Sequence, residues 1–209
     1  MKYMIIKVCG MREVANICEV AQLGIDMMGF IFYPHSPRHV TVSVPRTVAD
    51  KNLQRVGVFV NATIEDVLQM VESYDLDAVQ LHGSETAVYC QMLRKRLDAS
   101  KRLVKAISVA GTEDVRKYRE YVGVVNLFLF DTKCKTVGGS GEQFDWTVLM
   151  QYDGDVPFLL SGGIGPDDAD RILAFRHPKC VGFDLNSRFE LEPGVKDVER
   201  LRTFIRKIK

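Results

Sequence analysis

Two residues that can move protons each close a short apolar run: Cys9 in Lys7-Val8-Cys9-Gly10, and Asp131 at the end of Leu127-Phe128-Leu129-Phe130-Asp131. A thiol whose pKa is lowered toward neutrality is a competent general base, and a carboxylic acid whose pKa is raised by burial is a competent general acid. If both runs end on one rim, the two groups address opposite sides of one bound substrate. The plain alternatives stand beside this one: a cysteine at a strand end often only packs, and an aspartate there often caps a helix.

Other run ends carry further candidates. Gly162 and Gly163 follow Ser161 and let a phosphate approach backbone N–H groups without side-chain obstruction. Asn186 and Ser187 follow Leu185 and are placed to open a short helix whose amides face the same anion. Arg38, after Pro37, is expected to turn its fork toward the pocket and pair with a carboxylate. His82, in Gln80-Leu81-His82-Gly83, either orients a neighbour or closes a loop.

What must position these groups is a repeated strand and helix. Eight apolar runs read as strands: 4–9, 27–32, 55–60, 78–82, 103–108, 127–131, 158–161 and 181–185. Each is followed by a segment of helical spacing. Helix starts are signalled by Thr63 with Asp66, Ser84 before Glu85, Thr112 before Glu113 and Asp114, and Pro166 before Asp167 and Asp168. The first helix, 12–23, is expected to present Val14, Ile17, Cys18 and Ala21 on one face and to stop at Gly24. The last, 197–208, repeats Val198, Leu201, Phe204, Ile205 and Ile208 at intervals of three and four.

Even spacing of the units, with no Gly-x-Gly-x-x-Gly after the first strand, favours a closed barrel over an open doubly wound sheet. The expected fold is α/β, a (β/α)8 TIM barrel filling residues 1–209 as one domain. Active sites of such barrels lie where the strands end, so the candidates above belong to one rim. The longest irregular stretch, 132–144, is rich in glycine and is read as a lid.

The chain's 209 residues suit one α/β barrel, and 46% hydrophobic with 26% charged residues can build a substantial core and a wet surface. Lys and Arg number 28 against 27 Asp and Glu, for a net charge of +1. No excess positive charge is available for a phosphate backbone, so nucleic acid is not an expected partner. No membrane partner is expected either, since no apolar stretch reaches the roughly 18 to 20 residues of a membrane span. The N-terminal run shows no signal-peptide core, so a cytoplasmic location is expected. Five cysteines without a Cys-x-x-Cys pair read as reduced thiols rather than as disulfides or a zinc site, and no metal is expected.

In order along the chain, Lys7-Val8-Cys9-Gly10, the stretch from Gly29 to Val40 with Ser36-Pro37-Arg38, Val56-Gly57-Val58-Phe59-Val60-Asn61 and Gln80-Leu81-His82-Gly83 resemble signatures of the phosphoribosylanthranilate isomerase family. So do Gly138-Gly139-Ser140-Gly141 leading to Phe144-Asp145-Trp146, Leu160-Ser161-Gly162-Gly163, and Pro193-Gly194-Val195-Lys196-Asp197. The resemblance spans nearly the whole chain. It implies a cofactor-free Amadori rearrangement of N-(5-phosphoribosyl)anthranilate to 1-(2-carboxyphenylamino)-1-deoxyribulose 5-phosphate, a step of tryptophan biosynthesis. It further implies Cys9 as base, Asp131 as acid, Arg38 on the anthranilate carboxylate, and Gly162, Gly163, Asn186 and Ser187 around the phosphate. The partner is a small phosphosugar, and the chain is expected to be a monomer or a homodimer.

One departure stands out. Where the family commonly has Ser-Ser-Gly-Val-Glu, this chain has Asn186-Ser187-Arg188-Phe189-Glu190, so Arg188 is expected to add a charged contact to the phosphate. The related sugar isomerase of histidine biosynthesis, or a barrel serving both pathways, is expected to carry Asp in place of Cys9. A Schiff-base aldolase needs a lysine on the rim; Lys7 and Lys105 precede their strand ends and Lys133 lies past one. A phosphosugar-binding protein without activity would not need both Cys9 and Asp131.

Overall fold

Strands that are apolar on both faces need cover on both faces, and closing the sheet on itself with helices outside provides it. The computed structural model describes residues 4–42, 44, 53–132 and 145–209. Its eight parallel strands are β1 (Ile5–Val8), β2 (Met27–Ile31), β3 (Gln54–Phe59), β4 (Ala78–Leu81), β5 (Arg102–Val109), β6 (Leu127–Thr132), β7 (Phe158–Ser161) and β8 (Cys180–Leu185). Each pairs with the next, and β8 closes on β1, so the expected barrel is present. Along each strand alternate residues face inward. Met27, Val56, Ala78, Val104, Ala106, Leu127, Leu129 and Leu159 fill the interior, while Val8, Met28, Phe30, Phe128 and Phe130 belong to the layer beneath the helices.

The helices are α1 (Val14–Ala21), α2 (Ile64–Ser73), α3 (Ala87–Arg96), α4 (Thr112–Val115), α5 (Ala169–Ala174) and α6 (Val198–Ile208). Thr63 caps α2 by accepting from Asp66 N, as its spacing predicts. Helix α6 buries Leu201, Phe204, Ile205 and Ile208, with about 1.5 to 3 kcal/mol for each fully covered side chain. A short hairpin, β9 (Glu190–Glu192) with β10 (Val195–Lys196), precedes it.

Three local expectations change. Helix α3 is capped by Thr86, which accepts from Tyr89 N, and not by Ser84. Glu85 is drawn inward instead, because the buried Lys105 ammonium lies 2.9 Å from its carboxylate. The buried face of α1 is Asn16, Ile17, Val20 and Ala21, with Val14 exposed. Asn16 turns in because its amide brackets the Lys196 backbone, donating to its carbonyl at 2.9 Å and accepting from its N–H at 2.7 Å. After β6 the segment Trp146–Gln151 is a 3-10 turn rather than a full α-helix. Of the stretch read as a lid, residues 133–144, with Lys133, Cys134 and the Gly138–Gly141 motif, lie outside the described residues.

Candidate active site

The rim where the strands end holds a cavity of about 170 Å³ whose walls include Cys9, His82, Asp131, Gly162, Gly163, Asn186 and Ser187. Seven of the nine residues singled out from sequence thus meet in one place, contributed by five strands. Period-two alternation explains why: Asp131 continues the inward row of Leu127 and Leu129, and His82 continues the row of Ala78 and Gln80.

Cys9 is nearly fully buried, and its backbone N–H donates to Leu185 O at 2.9 Å, extending the β1 pairing with β8 by one residue. Gly29 on β2 makes room for it, since a Cβ at that position would stand 2.6 Å from the sulfur. The expected lowering of the thiol pKa is not what the surroundings produce. Burial pushes it above the ordinary value; Lys7 and Lys196 pull it down, and Asp184 pushes it up. Desolvation prevails because the sulfur sits in a closed interior where a thiolate loses its water.

Asp131 faces His82, with Oδ2 3.4 Å from Nε2, and the far ring nitrogen of His82 lies 2.9 Å from the Gln80 amide. The Gln80 side chain is fully buried in the barrel, and its Oε1 has no partner among the described residues. Which amide end meets the ring decides the tautomer. A Gln80 carbonyl toward Nδ1–H leaves Nε2 free to accept a proton from Asp131; a Gln80 amide N–H there makes Nε2–H a donor to its carboxylate.

The two glycines differ. Gly162 has φ +99°, and a Cβ there would lie 2.0 Å from Thr132 O, so the residue is demanded by packing. Gly163 has φ +65° and nothing within 4 Å of a Cβ position, which leaves its backbone open to the cavity. Ser187 opens a short 3-10 turn, Ser187–Phe189, after Asn186, as expected.

Both arginines depart from expectation. Arg38 lies against Glu190, which accepts from Nε at 2.8 Å and from Nη2 at 2.6 Å. The side edge of its fork is therefore filled from within, because a buried carboxylate needs a counter-ion; only the end-on edge, Nη1 with the second Nη2 proton, remains for an incoming carboxylate. Arg188 is exposed and stacks its Nε over Gly165, in a separate surface hollow with Asp167, Asp168 and Arg200. Its side chain stays outside the rim cavity because Ser187–Phe189 buries Phe189 and turns its neighbour outward.

Four charged groups near the site were not found from sequence. Lys7 and Asp184 pair inside the barrel at 2.9 Å, and both are almost fully buried. Counting back by two from Cys9 and from Asn186 would have placed them there, which is the signal available. Glu190 and Lys196, 2.7 Å apart on the hairpin, carry no such local signal. Burial pushes the Glu190 carboxyl up, but hydrogen bonds from Arg38 and Lys196 overrule it and bring it to about 2.

Comparison with known proteins decides the family. The model of the N-(5'-phosphoribosyl)anthranilate isomerase family matches residues 6–207. The chain belongs to that family. It is 52% identical to N-(5'-phosphoribosyl)anthranilate isomerase of Parabacteroides distasonis, over 98% of this chain and 93% of that protein. The phosphoribosylanthranilate isomerase of Thermotoga maritima has the same fold, with a TM-score of 0.84 at 31% identity and 98% coverage of both chains. Another family structure, a complex with reduced 1-(o-carboxyphenylamino)-1-deoxyribulose 5-phosphate, has a TM-score of 0.81 at 28% identity, again over 98% of both chains. The chain is accordingly an aldose-ketose isomerase of tryptophan biosynthesis on a TIM barrel. No helix among the described residues is long and apolar enough to cross a membrane.

Proposed function

We propose that the rim cavity rearranges N-(5'-phosphoribosyl)anthranilate by proton transfers between Asp131 and Cys9. The observation that carries this assignment is that a thiol after β1 and a carboxyl on β6 line one cavity together with Gly163, Asn186 and Ser187. Asp131, protonated, donates to the furanose ring oxygen; the C1–O bond breaks and the nitrogen lone pair forms a Schiff base. Cys9, as thiolate, then takes the proton from C2, and the electron pair moves to nitrogen to give an enolamine that tautomerises to the ketone. His82 orients Asp131. A thiol whose pKa is raised is a stronger base once ionised, at the expense of a smaller ionised fraction near neutrality.

The phosphate end is held by the open backbone at Gly163 and by the Asn186-Ser187 turn. The anthranilate carboxylate meets the end-on edge of Arg38, whose other edge Glu190 holds still. Arg188 has no part in this arrangement. The chain acts as a monomer or a homodimer.

The test is turnover of freshly generated phosphoribosylanthranilate, followed by loss of its fluorescence. Cys9→Ala and Asp131→Asn should each reduce kcat by about 10² to 10⁴ while the protein still binds a phosphate-bearing product analogue. Retention of near-wild-type kcat in either variant would remove that residue from the mechanism.

A further inference from the structure

Beneath Cys9, one inward-facing position earlier on β1, sits Lys7, a fully buried ammonium that no step above uses. Its Nζ lies 2.9 Å from Asp184 Oδ1, and Asp184 lines the rim cavity together with Cys9, two residues on from Lys7. Asp184 is itself steadied by Ser161, whose Oγ stands 3.5 Å from Oδ2. The cation is thus fixed by a carboxylate on β8, one inward position before the thiol. A lysine this deep is costly unless it is paired, and one carboxylate already pairs it. Its charge is also felt by the neighbouring Cys9 thiol, a group whose charge changes during the reaction.

We propose that Lys7 is a positioning residue for the isomerisation: its ammonium is the counter-ion of the Cys9 thiolate, while Asp184 holds it in place. The inference rests on Cys9 being the base. When the thiol ionises, a sulfur without water meets a positive charge already held close by Asp184. When the sulfur takes the C2 proton, Asp184 keeps Lys7 charged and stops it from following the proton.

The other charged and titratable groups facing the sulfur are few. Lys196, from β10, also favours the thiolate, but its charge is shared with Glu190 and Asn186, each 2.7 Å from Nζ. Asp184 opposes ionisation. Arg38 interacts electrostatically with Cys9 from the loop after β2, and His82 and Asp131 stand across the cavity on β4 and β6. Of these, Lys7 favours the thiolate most, ahead of Lys196. Burial drags the ammonium down, yet Asp184 and Cys9 together hold it above the ordinary lysine value.

The experiment is a thiolate titration by ultraviolet absorbance near 240 nm, taken as the difference between each protein and the same protein carrying Cys9→Ser. Replacing Lys7 by Met should raise the midpoint by about one to three units, the worth of an opposite charge at this range. Asp184→Asn should move it the other way. If Lys7→Met fails to fold, Lys7→Met with Asp184→Leu keeps the interior neutral, and its midpoint should still rise, though less. The ascending, acid-side limb of kcat should follow the thiol midpoint in each active variant, with KM little changed, and Lys7→Arg should recover part of the shift. A midpoint unmoved by loss of Lys7, or moved in the same direction by Lys7→Met and Asp184→Asn, would overturn the proposal. The titration needs no turnover, so an active Cys9→Ala enzyme with a Lys7-dependent thiol midpoint would instead show that the base is misassigned.

Discussion

Replacing Glu190 by Gln tests whether the ionic cluster behind the site contributes to stability as its geometry requires. The carboxylate accepts from Arg38 and from Lys196 Nζ at 2.7 Å, and its side chain is only 5% exposed. Its folded value of about 2, against an ordinary 4.5, corresponds to about 3 kcal/mol at full strength. Arg38 is 22% exposed, so solvent screening brings the figure nearer 2. A carboxyl depressed in the folded state stabilises above its unfolded pKa, and that contribution is lost as pH falls toward its folded value. Near pH 3 the unfolded carboxyl is almost wholly protonated and the folded one still mostly ionised, so about 1 kcal/mol should remain. Urea unfolding of wild type and Glu190→Gln should therefore show a gap of about 2 kcal/mol at neutral pH that shrinks to about half near pH 3. A gap of constant size across that range would refute the ionic account and leave only packing.

Gly29→Ala should push the Cys9 sulfur aside, since the added Cβ would lie 2.6 Å from it; kcat should fall about 10²-fold with the fold intact by circular dichroism, and unchanged kcat would mean the thiol's position is not critical. Because burial raises the Cys9 thiol, kcat/KM for the free enzyme should keep climbing past the ordinary thiol value of about 8.5; a plateau at neutral pH would contradict that. Lys105→Met strands the buried Glu85 carboxylate, which also accepts from Asn61 N and Gly83 N, and should cost about 3 to 5 kcal/mol, seen as a Tm lower by about 10 °C. Arg188→Ala should leave KM unchanged, because its side chain lies over Gly165 outside the cavity; a KM raised tenfold or more would restore it to the phosphate site.

Local pattern determined a large part of this protein. Uninterrupted apolar runs are strands wherever a sheet is buried on both sides, and all eight appear within a residue or two of where the sequence puts them. Because strand ends define the rim, Cys9, His82, Asp131, Gly162, Gly163, Asn186 and Ser187 could be assigned to one site before any geometry was available. The cap on α2 was equally legible, as a side chain and an N–H three residues on make that contact alone.

Tertiary structure decided the charges. Lys7 meets Asp184 across 177 residues, and Arg38 meets Glu190 across 152, contacts that exist only because β8 closes beside β1 and the hairpin folds back over the rim. The Arg38 pairing fills one edge of its fork with Glu190, and a further pairing, Lys105 with Glu85, took Glu85 from a helix start into the interior. The Lys7 and Arg38 pairings also determine whether Cys9 is a poor acid or a ready thiolate. Secondary structure follows from neighbours a few residues apart, whereas the energy of a buried charge depends on water removed and on partners brought in by closure of the whole barrel.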